Sequence, residues 1–259
     1  MRENAKHAAC GGTDFCLEAG ALLEYLESGE RVLAVGCGDG RLALECALRK
    51  NIRILGLDDD PKMIEAAQAN RYKVRLRLQG TAKFEAGDVA KLEFCREIFD
   101  KVAAFGSLTG LAEAGRLEAA VAEWSRVLKP GGLLLTAGDS AEGRENLNRF
   151  REEWGLDPLP EPKTPSPLDP ELLLENPWPD LELVETRDFS STYDVMTQVF
   201  KPLLAASHGY AEAGWPGELE RFAAGLPAWG EYGRRRLYVF RRLPQAAESQ
   251  AERADGTRA

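Results

Sequence analysis

The apolar positions of this chain change their spacing repeatedly through the first 140 residues. Short, nearly continuous apolar runs are typical of strands that are buried on both faces. Such runs occur at 31–35, 52–57, 99–106 and 131–138, with a further strand region in 74–80 and 83–88. Between them, apolar residues recur at helical spacing in 17–28, 41–50, 61–71 and 116–129. This alternation predicts βαβ units and a parallel sheet that is covered by helices on both faces.

Two of the predicted helix boundaries carry clear local signals. Asp60 precedes Pro61, which is the order of an N-cap residue and a first helical position. Gly29 follows the segment 17–28 and is typical of a helix stop. We therefore expect a helix to begin after Asp60 and the N-terminal helix to run to residue 28.

Beyond residue 139 the pattern becomes irregular. Residues 157–170 contain six prolines, too many for a helix or a central strand, which predicts a surface excursion or, alternatively, a domain linker. Apolar runs at 181–189 and 236–240 predict two more strands, and an amphipathic stretch, 191–210, lies between them.

We interpret residues 1–243 as one domain with insertions. Its predicted parts are an N-terminal lid (1–29), a core (30–140), a proline-rich insertion (141–180), C-terminal strands with a cap insertion (181–243), and a disordered polar tail (244–259).

Three glycines at alternate positions follow the first predicted strand, in RVLAVGCGDGR (31–41). Glycine inside a strand costs backbone entropy and offers no side chain to pack, so this run needs another reason. Where a strand passes directly into a helix, bare glycines let a ligand reach backbone N–H groups and the positive helix end. A tight turn alone is the alternative. The dinucleotide fingerprint needs a glycine at position 41, and Arg41 there disfavours a nicotinamide-dependent oxidoreductase.

Carboxylates follow the second and third strand regions. Asp58 ends the second strand, 20 residues after Gly38, where a carboxylate can accept both hydroxyls of a ribose. Asp59 is the neighbouring alternative, since Asp60 serves as the helix cap. Asp88, after the third strand region, is placed to meet an adenine amino group.

These stretches, in this order and at this spacing, resemble the class I S-adenosylmethionine-dependent methyltransferases of the small-molecule type. The matching segments are VLAVGCGDGR (32–41), GLDDDPKMIEAA (56–67), AGDVAKL (86–92), IFDKVAAFG (98–106) and RVLKPGGLLL (126–135). The resemblance implies an α/β, Rossmann-like, doubly wound fold. Its seven-stranded sheet would be mostly parallel with the last strand antiparallel, and helical or irregular cap insertions would cover it. The resemblance also implies S-adenosylmethionine as the cofactor.

The resemblance further implies which positions hold the cofactor. The glycines would line its methionine and ribose end, Asp58 would hold the ribose hydroxyls, and Asp88 would bond the adenine N6. Other matching positions would flank the adenine or face the methionine. The implied cofactor-binding residues are Gly36, Cys37, Gly38, Asp39, Gly40, Asp58, Asp59, Met63, Gly87, Asp88, Val89, Ala104 and Phe105.

One position departs from the family pattern. Ala34 stands where the family usually has an acid that helps to order the loop and hold the cofactor's ammonium group. Lower cofactor affinity is one expected consequence. Compensation by another acid is the alternative, and Asp39 is the nearest in sequence.

Composition narrows the class of partner. The chain has 259 residues, a formal net charge of −9, 44% hydrophobic and 29% charged residues. Nucleic-acid binding needs clustered Lys and Arg, so this acidity disfavours an RNA methyltransferase. We find no signal-like N-terminus and no apolar run of membrane-spanning length. The five cysteines form no CxxC pair, so we expect free thiols and a cytoplasmic protein without a membrane partner.

Methyl transfer from a sulfonium is an in-line displacement, so the protein mainly positions the acceptor and excludes water. The sequence assigns no catalytic residue. His208, Cys10 and Cys16 are candidates, each with a packing or surface role as the alternative, and no metal site is expected. Long late insertions and low basicity favour a small-molecule acceptor. A non-catalytic protein that binds the cofactor or its S-adenosylhomocysteine product, such as a partner subunit, is the alternative function, and the oligomeric state stays open.

Overall fold

Seven strands form one mixed sheet in the computed structural model, which describes residues 13–105, 108–161, 178, 180–208 and 218–244. The strands are β1 (Arg31–Val35), β2 (Arg53–Asp58), β3 (Thr81–Ala86), β4 (Phe99–Phe105), β5 (Leu128–Asp139), β6 (Leu181–Asp188) and β7 (Arg235–Arg242). Their spatial order is β3-β2-β1-β4-β5-β7-β6.

The strand directions confirm the predicted fold. Strand β7 runs antiparallel to both of its neighbours, β5 and β6, whereas β1 to β5 pair in parallel. Because β1 lies between β2 and β4, the carboxyl ends of these three strands meet at one edge of the sheet. The strand order reverses next to β1, and open α/β sheets bind ligands in the crevice at such a reversal.

Helices surround this sheet. Within the described ranges they are α1 (Thr13–Leu23), α2 (Arg41–Arg49), α3 (Pro61–Val74), α4 (Leu108–Glu113), α5 (Leu117–Val127), α6 (Ala141–Glu153), α7 (Ser191–Val195), α8 (Lys201–His208) and α9 (Glu218–Ala224). A π-helical stretch, Met196–Phe200, joins α7 to α8. None of these helices combines the length and hydropathy that a membrane span requires.

Each face of the sheet buries its own hydrophobic cluster. On one face, Leu33 and Val102 pack against α5 through the fully buried Trp124. On the other, Val32 and Ala103 pack with residues of α1, α2 and α3. Consecutive strand residues point to opposite faces, which explains why the core strands are apolar at nearly every position.

The N-terminal helix ends five residues before its predicted end. Helix α1 stops at Leu23. The Lys50 ammonium group donates a hydrogen bond to the Leu23 carbonyl at 2.6 Å and another to the Leu26 carbonyl. Lys50, the C-cap residue of α2, thereby satisfies carbonyl groups in and after the last turn of α1. Gly29, with φ 92°, lies in the turn that follows.

The next helix begins where the sequence predicts it, but it ends later. The Asp60 carboxylate accepts a hydrogen bond from the Lys62 N–H at 2.9 Å, and Pro61 is the first helical residue. Helix α3 then continues to Val74, so the strand predicted for 74–80 is wrong. Leu76 in that stretch is 90% exposed. The alternating apolar and polar residues there lie in a surface turn. The third strand is Thr81–Ala86.

Strands β6 and β7 confirm the two late apolar runs. The cap helices α7 to α9 lie in the chain between these strands. Helix α1 packs on α2 and α9, and α7 packs on α6 and α9. In the proline-rich stretch 157–170, residues 162–170 lie outside the described residues. In the predicted tail, residues 245–259 also lie outside them.

Candidate functional site

The loop between β1 and α2 folds through three glycines in the left-handed region. Their φ angles are 61° at Gly36, 53° at Gly38 and 74° at Gly40. A side chain would strain the backbone at each of them. The loop therefore turns sharply from strand to helix and leaves its main chain uncovered.

The three glycines have different surroundings. A Cβ on Gly40 would lie 2.6 Å from the Phe84 ring and 2.9 Å from Ala67, whereas a Cβ on Gly38 would meet nothing within 4 Å. The same ring also approaches Gly56 on β2, where a Cβ would lie 2.5 Å from it. Gly40 thus makes room for core packing, and Gly38 faces open space.

Asp58 joins the glycine loop to the next strand. Its Oδ2 accepts a hydrogen bond from the Gly38 N–H at 2.7 Å, and its Oδ1 accepts one from the Asp60 N–H at 3.0 Å. The residue is buried, 8% exposed, while Asp59 is exposed. The carboxylate therefore holds the loop in place through hydrogen bonds to the backbone. It does so next to the place where the resemblance puts a ribose.

A cavity of about 460 Å³ opens between the glycine loop, α1 and the carboxyl ends of β1 and β4. Ligand pockets of proteins span about 300–1,000 Å³. Six of the implied cofactor-binding residues line it: Gly36, Cys37, Gly38, Asp39, Met63 and Phe105. The structure therefore brings residues predicted for the methionine end together with Met63, which was predicted to flank the adenine, around one cavity.

Among the residues that the structure describes, three charged side chains line this cavity. They are Glu18 from α1, Asp39 from the loop and Arg41 from the start of α2. The Arg41 Nε lies 2.6 Å from the Asp39 Oδ2. Glu18 forms an ion pair with Arg235, the first residue of β7. The remaining lining residues are apolar, cysteine or glycine.

Cys37 is a packing group of the loop. Burial, together with the nearby Asp58 charge, raises the pKa of its thiol to about 12. The thiol is therefore protonated at neutral pH and is a poor nucleophile. Its sulfur contacts the Gly38 carbonyl at 3.7 Å, and a Cβ on Gly56 would lie 2.8 Å from it.

Two of the residues predicted for the glycine loop and the methionine end lie away from the cavity. Ala104 is fully buried in the cluster on the opposite face of the sheet, and its carbonyl accepts a hydrogen bond from the Thr136 hydroxyl at 2.9 Å. Because side chains alternate along β4, Ala103 and Phe105 reach the cavity in its place. Gly40 is the second residue, turned towards Phe84.

The predicted adenine-side residues lie beyond β3. Asp88 Oδ1 accepts hydrogen bonds from the Ala90 N–H at 2.8 Å and from the Arg116 guanidinium. These two contacts lower the pKa of Asp88 below its usual range. Val89 is buried, and the Gly87 N–H donates to the Asp58 carbonyl at 3.0 Å. An ionised acceptor is thus held near the carboxyl end of β2.

The structure gives little support to the three catalytic candidates named from the sequence. Cys16 lies half-buried on α1. His208 is the last residue of α8, and its side chain is outside the described set. Cys10 also lies outside the described residues.

Sequence reasoning missed several residues that shape the site. Ala103 could have been found by applying strand alternation to β4, and Arg41 by its place at the first helical position after the loop. Glu18 gave no local signal, because α1 reaches the loop only in the tertiary fold. Phe84 likewise could not be linked to Gly40 and Gly56.

The comparisons with known proteins agree with this geometry. Residues 32–132 match the sequence model of a family described as a methyltransferase domain. Over these residues the chain is similar to S-adenosylmethionine-dependent methyltransferases. The match covers β1 to the start of β5, which includes the glycine loop, Asp58 and Asp88.

The curated relatives match this chain over part of their length. The sterol 24-C-methyltransferase ERG6 of Saccharomyces cerevisiae is 36% identical over 107 residues, 41% of this chain and 27% of the relative. The 27-O-demethylrifamycin SV methyltransferase of Amycolatopsis mediterranei is 30% identical over 109 residues, which are 42% of this chain and 38% of the relative. An O-methyltransferase of Aspergillus nomiae is 31% identical over 138 residues, which are 51% of this chain and 58% of the relative. The chain spans less than two thirds of the length of each.

Solved structures resemble the chain over most of its length. The (4+2)-cyclase SpnF has a TM-score of 0.53 and 26% identity, covering 89% of this chain and 79% of its own. A TehB-like S-adenosylmethionine-dependent methyltransferase of Corynebacterium glutamicum has a TM-score of 0.53 and 18% identity, covering 87% of both chains. The second likeness is one of fold alone.

Proposed function

We propose that this chain transfers a methyl group from S-adenosylmethionine to a small-molecule acceptor. The observation that carries the proposal is the cavity at the carboxyl edge of β1 and β4, walled by the bare glycine loop and by charged side chains. The family match supports the methyl donor. The names of the sterol and rifamycin relatives support a small molecule as the acceptor.

The residues present fit the cofactor. Open space at Gly38 admits a ligand close to the main chain. The carboxylate of Glu18 and the guanidinium of Arg41 offer partners for an ammonium and a carboxylate group. Ala103 and Phe105 provide apolar wall for a thioether-like chain.

We assign the adenosine half to the acids that follow the strands. Asp58, already fixed by two backbone N–H groups, would use its remaining lone pairs for the ribose hydroxyls. Asp88 would accept from the adenine amino group, and Met63, 42% exposed at the start of α3, would pack beside the ring. Asp59 stays a second candidate for this end.

When bound, the cofactor supplies an electrophilic methyl group on a sulfonium. The chain then orients the donor, holds the acceptor in line with it and excludes water from the site. We propose that α1, which belongs to the predicted lid (1–29), and the cap helices between β6 and β7 enclose the acceptor. Cys10, Cys16 and His208 stay candidates for contact with it.

A second candidate function is cofactor binding without methyl transfer. The likeness to SpnF covers most of the chain, and that enzyme is named for a cyclisation. One fold can host unrelated chemistry, so the fold alone does not select methyl transfer. A partner subunit that binds the cofactor belongs to the same class.

Two measurements separate these functions. Calorimetry with S-adenosylhomocysteine tests whether the site binds the cofactor's nucleoside and amino-acid parts. Transfer of radiolabel from methyl-labelled S-adenosylmethionine to a fractionated small-molecule extract tests the reaction, with bulk RNA as a parallel substrate. Label in a small-molecule fraction supports the proposal, and Gly38→Leu, which fills the cavity, should abolish it. Binding without transfer to any fraction favours the second function, and label in RNA would overturn the small-molecule acceptor.

A further inference from the structure

The cavity wall carries an uneven set of charges. Within the described part of the chain, its charged lining groups are two carboxylates, Glu18 and Asp39, and one guanidinium, Arg41. The β1 residues that line the same cavity, Ala34 and Val35, are apolar. The negative excess of this wall matches a ligand with a net positive charge.

The methionine end of S-adenosylmethionine is such a ligand. It carries an ammonium, a carboxylate and a sulfonium, and so has one net positive charge. A buried charge is costly unless it is paired and hydrogen-bonded, so the ammonium needs an acceptor on this wall and the carboxylate needs a donor. Arg41 is the cationic donor among the lining residues.

The two wall carboxylates differ in what holds them. Asp39 lies against Arg41 in its own loop: the Arg41 Nε is 2.6 Å from Oδ2, and the Arg41 N–H donates to Oδ1 at 3.4 Å. Asp39 is therefore tied to the same guanidinium that would receive the ligand carboxylate. Glu18 comes from a different element, α1, and its side chain is 12% exposed.

Glu18 is also held in place by the sheet. Its carboxylate pairs with Arg235 at the start of β7, and Arg235 is outside the cavity lining. A carboxylate has about four lone-pair sites, so it can accept from Arg235 and from a second donor at once. Arg235 thus orients Glu18, whose side chain is among the residues that line the cavity.

We propose that Glu18 accepts a hydrogen bond from the ammonium group of the cofactor's methionine end, with Arg235 as its positioning residue; this rests on the proposed function. The acid that recognises the ammonium then comes from the N-terminal helix instead of from β1. As a consequence, recognition of the amino group depends on the docking of α1 on the sheet.

A double-mutant cycle between protein and ligand tests this assignment. Calorimetry measures the affinity of wild type and Glu18→Gln for S-adenosylhomocysteine and for its deamino analogue, which lacks only the amino group. Glu24→Gln is the matched control. Glu24 follows α1 and pairs with Arg187 of β6 at 2.8 Å, so it ties the same helix to the sheet, but it is outside the cavity lining.

We expect Glu18→Gln to weaken S-adenosylhomocysteine binding by about ten-fold, the effect of losing one charge-assisted hydrogen bond. Its affinity for the deamino analogue should equal that of wild type, and Glu24→Gln should behave as wild type with both ligands. Equal losses for both ligands, or no loss for either, would overturn the assignment to Glu18. A wild-type chain that binds neither ligand would instead overturn the proposed function itself.

Discussion

The backbone N–H of Gly38 donates a hydrogen bond of 2.7 Å to the Asp58 carboxylate. These residues lie 20 positions apart in the chain, on the loop after β1 and at the end of β2. The bond ties the glycine loop to the neighbouring strand, so the carboxylate proposed to bind the ribose also sets the shape of the loop that faces the methionine end. Adjacent parallel strands make this possible, because β1 and β2 end at the same edge of the sheet.

Asp58→Ala should impair both binding and stability. We expect the affinity for S-adenosylhomocysteine to fall by at least about ten-fold, and the free energy of unfolding to fall by about 1–3 kcal/mol, because two N–H groups lose their acceptor. Calorimetry and urea denaturation measure the two effects. Asp58→Asn keeps one acceptor oxygen and should be the more stable of the two variants. Unchanged affinity in both variants would refute the ribose assignment.

Alanine at Gly40 and at Gly38 should have different costs. Both residues have positive φ angles, 74° and 53°, so the backbone strain of a side chain is common to the two variants. Only Gly40→Ala also drives a Cβ into Phe84. We expect it to lower the free energy of unfolding by about 1–3 kcal/mol more than Gly38→Ala does.

A compensating variant checks the cause of that difference. Gly40→Ala combined with Phe84→Leu removes the ring that the new Cβ would meet. The loss in free energy of unfolding of this double variant, measured in urea, should be smaller than the sum of the losses of the two single variants. Strict additivity of the two changes would exclude the proposed clash.

Cys37 should resist alkylation. Its thiol pKa of about 12 keeps it protonated, whereas Cys95 is exposed. At about pH 8, iodoacetamide should label Cys95 well before Cys37, as followed by peptide mass spectrometry. The fully buried Cys46 serves as an internal control for global unfolding. Rapid labelling of Cys37 while Cys46 stays unlabelled would contradict the buried position of this thiol.

The pH dependence of binding should report on Asp88. The Ala90 N–H and the Arg116 guanidinium lower its pKa below the usual value of 3.8. A lowered pKa means that the carboxylate is present above this value and is lost only as the pH falls through the lowered pKa. We therefore expect Asp88 to contribute no change in S-adenosylhomocysteine affinity between about pH 5 and pH 8.

Asp88→Asn provides the comparison. This variant should bind more weakly than wild type by a constant factor across the same range, because an amide oxygen is a weaker acceptor than a carboxylate. The ratio should shrink only below about pH 4, where the wild-type carboxyl begins to protonate. A ratio that changes near neutral pH would assign the titration to another group.

Local chemistry predicted the elements that depend on neighbours in the chain. The run RVLAV became β1 with the predicted bounds, Asp60 and Pro61 began α3, and the late apolar runs became β6 and β7. In these cases hydrophobic spacing, capping and turn residues act within a few positions of one another. Where a distant group intervened, as Lys50 does at the end of α1, the predicted boundary was displaced.

The order of strands and helices along the chain, the glycine loop and the acids that follow β2 and β3 could all be predicted, because each depends on residues adjacent in sequence. Which of these residues share a cavity depends on the tertiary fold. It placed Ala104 on the far face of the sheet, turned Gly40 towards Phe84, and brought Glu18 to the loop beside Asp39 and Arg41. The physical reason is that a ligand site is a set of side chains converging from separate elements, and their convergence depends on strand alternation and helix packing across the whole sheet.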